Sequence, residues 1–549
     1  MASALFPRRT IRKPAGVIFN VSFDSVHMMF TFPAYDGKCQ QEEQSMKQQT
    51  VKLCAALSIA LTMTMAAGCG QSSVQETKTE TEEAAEPEAP AAEGNTEKPE
   101  AGQPGEMPGG TPPEKPDGEK GGPKGEGGGP GGNMPGGAPG GSSSSDIEYT
   151  AAHTITSGTE ETGETYASSA SDESALLITA SGEVTVKDAT VTKTGDSDGG
   201  DNCNFYGLNA AVLVKDGATA VISGASITSD ADGANGIFSY GGNGGQNGAS
   251  GDGTTVTVSD SEITTTGNGS GGIMTTGGGV MYANNLTVTT GGRSSAAIRT
   301  DRGGGTVVVN GGTYTSNGLG SPAIYSTADI TVSNASLISN LSEGVCIEGK
   351  NSVTLNDCDL TADNTERNGN ASFLDSIMIY QSMSGDADSG TSSFTMNGGS
   401  LTSKNGHMFH VTNTSAVITL SDVTLVNEDS ENILLSVCDD GWSGAGNTAE
   451  LNAKKQTLNG TILVGDNAEL TLNLTDGSSF TGTFSGDIKN ASGETVSSKI
   501  GTVSVSLDST STWTLTGDTY ITSFSGDASS VISSGYKLYV NGTQLTGTK

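Results

Sequence analysis

Two neighbouring loops of the chain carry aspartates at a spacing that suits a cation site. The residues are Asp196, Asp198 and Asp201 in one loop and Asp230 and Asp232 in the next. Ca²⁺ prefers about six to eight oxygen ligands, and carboxylates from adjacent loops could supply several of them. The alternative is a solvated acidic loop in which aspartate is used for its turn-forming ability. The pattern predicts a calcium site with these five carboxylates as candidate ligands.

A second group of residues has the chemistry of a sugar site. Trp442 follows Asp439 and Asp440, and an exposed indole beside carboxylates suits the apolar face and the hydroxyls of a pyranose. Tyr325 and Tyr380 occupy comparable places in earlier repeats and could extend an aromatic strip. The alternative is stacking of these rings within the fold. We therefore treat Trp442 and its neighbours as a candidate ligand-binding site.

The element that must position these residues recurs nine times, and TVTVSDSEI at residues 255–263 is a clear copy. Apolar and polar residues alternate on both sides of Asp260, as in half-buried strands. The position of Asp260 holds only Gly, Asn or Asp, which tolerate left-handed backbone. Its occupants are Asp188, Gly224, Asp260, Asn285, Gly311, Asn334, Asp357, Gly398 and Asp422. Each copy predicts a strand, a sharp corner and a second strand, repeated roughly every 22 to 25 residues.

A third apolar strand follows in many copies, for example around Ile273, Ile298 and Ile324. Three short strands per turn and a left-handed corner predict an all-β fold, a right-handed parallel β-helix with three short sheets and about a dozen coils. Residues 147–549 would form this domain, with a cap at the C-terminal end. An apolar content of only 33% is sufficient, because each coil buries a narrow interior column.

The net charge of −35 restricts the partners of this domain. Nucleic acid and anionic membrane surfaces are excluded as partners by charge repulsion. Cations, neutral glycans and proteins remain candidates, and we expect a monomer.

The first 146 residues read as processing and linker segments. We interpret residues 1–45 as a mis-called upstream extension, because Met46 opens a better start with lysines before a short apolar run. A long, unusual leader is the alternative. Residues 46–68 then form a signal peptide, and residues 69–146, rich in Glu, Pro and Gly, predict a disordered tether.

The sequence Ala66-Ala67-Gly68-Cys69 resembles a bacterial lipobox, in which cleavage precedes a cysteine that becomes lipid-modified. The resemblance covers four residues and departs from the pattern at Ala66, where leucine is preferred. An ordinary signal peptide with an incidental cysteine is the alternative. A lipid on Cys69 would anchor the chain in the bilayer, at the extracellular face of the bacterial cytoplasmic membrane and within the cell wall.

The strand–corner–strand repeats of residues 147–549 resemble those of the pectate-lyase-like right-handed β-helix superfamily. More closely, the chain is similar to Gly/Thr/Ser-rich surface lipoproteins of Gram-positive anaerobes, of adhesin-like or carbohydrate-binding type. The resemblance implies the fold for nearly the whole domain. It implies less about function, because the superfamily includes lyases, hydrolases, esterases and adhesins.

The resemblance also raises enzymatic alternatives. Polyuronate lyases of this fold use acidic Ca²⁺ ligands and a basic residue that abstracts a proton, and Arg299, Asp301 and Arg302 are the candidates here. The strand pattern points Arg299 outward, and neutralisation of an acidic surface or an Arg–Asp pair is the alternative. Hydrolases of this fold use clustered aspartates before a Gly-His-Gly, whereas His407 precedes the aspartate pair and reads as a surface imidazole. Neither motif is reproduced residue by residue.

Four cysteines lie in the domain, namely Cys203, Cys346, Cys358 and Cys438. A disulfide between Cys346 and Cys358 stays open, because spacing alone cannot establish one. Small buried thiols are the interpretation that we favour, and no zinc spacing is present.

Our leading hypothesis is a lipid-anchored, non-catalytic surface protein that displays a β-helix for adhesion or carbohydrate binding. Its partner would be a glycan or a protein of a host or cell surface. The alternative is a polysaccharide lyase or glycoside hydrolase that acts on extracellular polysaccharide, and a third is a structural wall component without a ligand. Convergent Asp and Arg in a groove bounded by long loops would favour the enzyme, and flat faces would favour the adhesin.

Overall fold

The structure is a computed structural model that describes residues 17–23, 26–32, 147–197, 199–243 and 250–549. Residues 1–117 and 118–549 form two compact units. In the first unit, strands Val17–Phe23 and Val26–Phe32 pair as an antiparallel hairpin. The predicted signal peptide at 46–68, Cys69 and the predicted tether at 69–146 lie outside the described residues.

Two strand positions of each coil belong to one parallel sheet of 22 strands. The first position holds Glu160–Thr162, Glu183–Lys187, Thr219–Ser223, Thr255–Ser259, Asp329–Ser333, Ser352–Asn356, Thr391–Asn397, Ser415–Ser421, Asn447–Lys454, Ala468–Thr475, Thr502–Leu507 and Ser523–Ser525. The second position holds Thr165–Ser168, Thr190–Lys193, Ser226–Ser229, Glu262–Thr265, Ser336–Ser339, Asp359–Ala362, Ser400–Ser403 and Thr424–Asn427. Gly279–Thr290 and Gly305–Ser316 run through both positions. These two long strands continue through the corner, so the first two of the three predicted sheets are joined.

The third strand position forms a separate parallel sheet of 15 strands. They are Thr150–Ile155, Glu173–Ile178, Val212–Val214, Ile237–Tyr240, Ile273–Thr276, Ile298–Thr300, Ile324–Ser326, Val345–Glu348, Asp375–Tyr380, His407–Thr412, Ile433–Val437, Thr457–Val464, Ser479–Ser485, Thr512–Leu515 and Val531–Ile532. The domain is therefore a right-handed parallel β-helix, as predicted, and its 15 coils exceed the expected dozen because irregular coils continue at both ends.

The smaller elements are insertions or end caps. A short α-helix, Asp201–Tyr206, lies in the first of the two aspartate-rich loops, and a 3₁₀ turn spans Ala528–Ser530. Asp487–Lys489 and Thr495–Ser498 form an antiparallel hairpin. Thr519–Ile521, Leu538–Val540 and Thr543–Gln544 form a three-stranded sheet near the C-terminus. This last sheet occupies the place of the predicted cap.

The corners confirm the prediction that was made from residue type. All nine Gly, Asn and Asp corner residues have φ between 47° and 74°. The coils after Thr424–Asn427 have no second-position strand among the described residues, yet Lys455 and Asp476 continue the corner with φ of 50° and 58°. The left-handed corner residue is therefore retained in coils that have no second-position strand.

Inward side chains form one continuous hydrophobic cluster from Ile155 to Leu538. Hydrogen-bond register places equivalent residues of successive coils above one another, as with Ile237, Ile273, Ile298 and Ile324. Each of these isoleucines is fully buried, and burial of such a side chain stabilises the fold by about 1.5–3 kcal/mol. The stack is what holds the coils in register.

The turn into the third strand packs glycine on glycine. A Cβ on Gly292 would collide with the carbonyl oxygen of Gly267 in the previous coil, whereas a Cβ on the adjacent Gly291 would lie 3.6 Å from its nearest neighbour. We expect Gly292→Ala to lower the free energy of unfolding by about 1–3 kcal/mol, because the backbone must shift to accept the methyl group. Gly291→Ala is the matched control, and equal denaturation midpoints for the two variants would contradict the prediction.

Candidate ligand-binding site

One row of outward side chains on the 15-stranded sheet is covered rather than exposed. Strand register aligns Arg299, Tyr325, Cys346, Met378, His410 and Ser436. Each of the six is 9% exposed or less. An outward position on a solenoid normally faces water, so this covered row marks the part of the surface where insertions fold back over the sheet.

Three arginines from one coil attach separate insertions to the covered row. Arg299 donates from Nη2 to Asp301 at 2.8 Å and from Nη1 to Asn204 of the short helix at 3.1 Å. Arg302 donates from Nε to Asp386 at 2.9 Å, and its guanidinium lies 4.0 Å from the ring centre of Phe205. Arg299 points outward from the sheet, as predicted, but the insertions cover it and leave it only 9% exposed.

Arg293 completes this arrangement by donating from Nη2 to Oδ1 of Asn368 at 2.8 Å. The arginines thus hold the helix Asp201–Tyr206 and the loops 363–374 and 381–390. Of the lyase candidates, Arg299, Asp301 and Arg302 do lie together, but each charge has an opposite partner. Burial raises the pKa of Asp301 to about 7, and the Arg299 guanidinium opposes that rise.

Tyr325 and Tyr380 also come together, through a carboxylate that the sequence analysis missed. Their hydroxyls both donate to Oε2 of Glu348, at 2.5 Å and 3.1 Å, and Ser382 donates to Oε1. Burial raises the pKa of Glu348 above its ordinary value, while the hydroxyl groups of Ser382 and Tyr325 oppose the shift. The signal for Glu348 was an acidic residue at the end of the apolar stretch VCIE.

Trp442 joins the same cluster, although it is not exposed as predicted. Its ring lies 4.9 Å from that of Tyr380, and it is only 4% exposed. It is buried because loop 438–446, which carries it, packs against loop 363–374. A small recess remains between the loops, lined by Glu343, Cys346, Asn368, Ala371, Met378, Tyr380 and Trp442. The recess combines aromatic and apolar walls with one carboxyl and one amide group.

Asp440 connects these two loops to the sheet below. Its Oδ1 accepts the backbone N–H of Ser372 at 2.8 Å, the Ser372 hydroxyl, and the N–H of Gly441 at 2.7 Å. Its Oδ2 lies 3.3 Å from Nε2 of His410, with both side chains fully buried. The two predicted aspartates therefore have different surroundings. Asp440 is a structural residue at this junction, whereas Asp439 is exposed beside a second small recess.

His407 and His410 are buried, so the expectation of surface imidazoles is wrong. Their Nδ1 atoms both lie 2.7 Å from the Ser436 hydroxyl, and Phe373 covers the two rings. Burial, with a smaller contribution from His410, lowers the pKa of His407 to about 3. These histidines therefore form part of the buried support of the loops.

The same buried region holds two further carboxyl groups, those of Glu343 and Asp375. Asp375 is 1% exposed, and neither of its carboxyl oxygens has a hydrogen-bond partner among the described residues. Burial raises the pKa of both groups, and the charges of Glu343 and Asp440 raise that of Asp375 further. Both carboxyl groups therefore titrate at a higher pH than a surface carboxylate.

The aspartate-rich loops lie side by side, as predicted, but hydrogen bonds between coils use two of the carboxylates. Asp196 accepts the N–H of Asp232 at 2.9 Å, and Asp232 accepts the N–H of Asn268 at 2.7 Å. Asp201 begins the short helix and Asp230 is exposed, whereas Asp198 lies outside the described residues. The described part of the chain contains no group of three His, Cys, Asp or Glu arranged to hold a metal ion. Calcium binding here stays a prediction.

The four cysteines of the domain, Cys203, Cys346, Cys358 and Cys438, are buried. This agrees with the interpretation of small buried thiols. Within the described ranges, no helix has the length and apolarity needed to cross a membrane. Comparison of the chain with protein-family models, curated proteins and solved structures found no match.

Proposed function

We propose that the chain is a lipid-anchored surface protein whose β-helix binds carbohydrate, and that it acts in adhesion rather than catalysis. One observation supports this function above the others. Tyr325, Tyr380 and Trp442, which come from separate coils, meet in a single cluster with hydrogen-bonding groups at its edge. Aromatic faces beside carboxyl and amide groups suit a sugar ring, which is apolar on one face and polar at its rim.

The charged residues near the cluster favour binding over lyase or hydrolase chemistry. A lyase base and a hydrolase carboxylate pair must face the substrate. Here Arg299 is paired with Asp301, Arg302 with Asp386, and Asp440 with His410. The lipid on Cys69 and the tether of residues 69–146 would display the domain outside the cell, as the sequence suggests.

Replacement of Trp442 tests this proposal. We expect Trp442→Ala to weaken glycan binding about tenfold or more, because the main aromatic face is removed. The measurement is a glycan array with the full chain, followed by titration with the best glycan and mass spectrometry of the recovered glycan. Tyr282→Ala is the control, since Tyr282 is 43% exposed but lies on the 22-stranded sheet.

Two outcomes would overturn the proposal. Unchanged binding by Trp442→Ala would place the ligand elsewhere. A shortened glycan, or one with an unsaturated end, would show that the protein is an enzyme.

A further inference from the structure

The aromatic face of the proposed site is closed in this structure. Trp442 is 4% exposed and Tyr380 is 2% exposed, so a sugar ring cannot stack on either while the loops keep this arrangement. Trp442 nevertheless lies on loop 438–446, outside the continuous interior core that contains the other tryptophan, Trp513. Binding at this cluster, which is the function proposed above, therefore requires loop movement.

One side chain links the two covering loops to each other and to the sheet. Asp440 accepts two hydrogen bonds from Ser372 of loop 363–374, one from Gly441 of its own loop, and contacts His410 of the sheet. Loop 363–374 has other ties as well, among them those from Arg293 to Asn368 and from the N–H of Ala491 to the carbonyl of Ser372 at 3.0 Å. At its two ends, Asn405 donates to Asp363 and the N–H of His407 donates to the carbonyl of Leu374 at 2.9 Å. Of these groups, only Asp440 joins both loops to each other and to the sheet.

We propose that Asp440 is the clasp of a gated sugar site, and that loops 363–374 and 438–446 separate to expose Trp442 to a neutral pyranose. Opening breaks the hydrogen bonds between Asp440 and Ser372 and uncovers the indole face together with Glu343 and Asn368. The ligand is a neutral sugar because the lining of the recess includes one carboxyl group, that of Glu343, and no lysine or arginine. A uronic acid would meet no positive charge in this lining.

Asp440→Asn in the full chain tests the clasp. Asparagine keeps the shape but weakens the bonds to Ser372 and His410, so the closed state becomes less favourable. The chain has only two tryptophans, and Trp513 is fully buried, so quenching of fluorescence by acrylamide reports chiefly on Trp442. We expect the quenching constant to rise about twofold or more.

We also expect Asp440→Asn to bind a neutral glycan about tenfold more tightly than the wild-type chain, because a larger fraction of molecules is open before binding. Asp388→Asn is the matched control, since its carboxylate is half exposed and pairs with Lys350 away from the clasp. If Asp440→Asn fails to fold, Ser372→Ala removes one hydroxyl bond at the same junction and takes its place.

Unchanged quenching in Asp440→Asn, or increased quenching without a gain in affinity, would overturn the gate. A preference for uronic acids would overturn the assignment of a neutral sugar. If the wild-type chain binds no glycan at all, the proposed function fails, whereas the quenching comparison still decides whether Asp440 holds the loops.

Discussion

Asp375→Asn is expected to stabilise the protein at neutral pH by as much as about 4 kcal/mol, and to give no gain near pH 4. A gain of this size from a single isosteric change is unusual, because most substitutions of buried residues destabilise. It is expected here because the carboxyl group of Asp375 is buried without a partner among the described residues.

The direction of this stability change follows from the raised pKa of Asp375. Burial, then the charges of Glu343 and Asp440, raise the pKa of Asp375 well above 3.8. A carboxyl group with a raised folded pKa contributes fully to stability only below its ordinary pKa, and that contribution is lost as the pH rises toward the folded value. The wild-type protein should therefore lose about 1.4 kcal/mol per pH unit above about pH 4 from this group, and the asparagine variant should not.

Urea denaturation of the two proteins between pH 4 and pH 8 measures the difference. Asp388→Asn serves as the control, because the carboxylate of Asp388 is about half exposed to water and its replacement should leave the slope unchanged. Parallel stability profiles for wild type and Asp375→Asn would show that Asp375 is ionised in the folded protein.

Arg299→Met is expected to destabilise the protein by about 3 kcal/mol at pH 8. The variant leaves Asp301 buried without its cation and also removes the bonds to Asn204 and to the carbonyl of Ser294. The loss should be smaller at pH 5, because the pKa of Asp301 is about 7 and the carboxyl group is then mostly protonated even in the wild type.

Chemical denaturation at the two pH values gives the energies, and hydrogen exchange shows where the structure opens. We expect faster exchange in the helix Asp201–Tyr206, which Arg299 attaches. Arg367→Met is the control, because Arg367 is exposed on a neighbouring loop. The double variant Arg299→Met/Asp301→Asn should recover part of the stability. A loss that is equal at both pH values would contradict an electrostatic role for the pair.

The repeating part of the fold could be predicted because the constraint is local. A corner such as Asp260 needs a residue that tolerates positive φ, and the flanking alternation of Val256, Val258 and Ile263 specifies which side faces inward. The loss of the second strand after Thr424–Asn427 could not be predicted, because apolar alternation persists there and continues directly into the third strand position.

The residues of the candidate site could be predicted from the sequence, but their burial could not. Residue type identified Trp442, Tyr325 and Tyr380, and the structure places them together. Their burial depends on Ser372 and Asp440, which are separated by 68 residues in the sequence. Contacts between insertions at such separations leave no periodic signal. Trp442 and His407 were therefore expected to be exposed, and the covering of the outward Arg299 by loops could not be predicted.

The direction of the hydrogen bonds has a mechanical consequence for a protein that holds its ligand under tension. In a parallel β-helix the bonds between coils run along the long axis, so a force applied along that axis separates coils one after another instead of shearing many bonds at once. A ligand held at Trp442 and an anchor before Thr150 would load the coils between them. The four coils whose third-position strands begin at Thr457–Val464 would carry none of the load. Resistance to detachment would then depend on the weakest loaded coil. The arginines that attach insertions across several of those coils would raise the force at which the first coils separate.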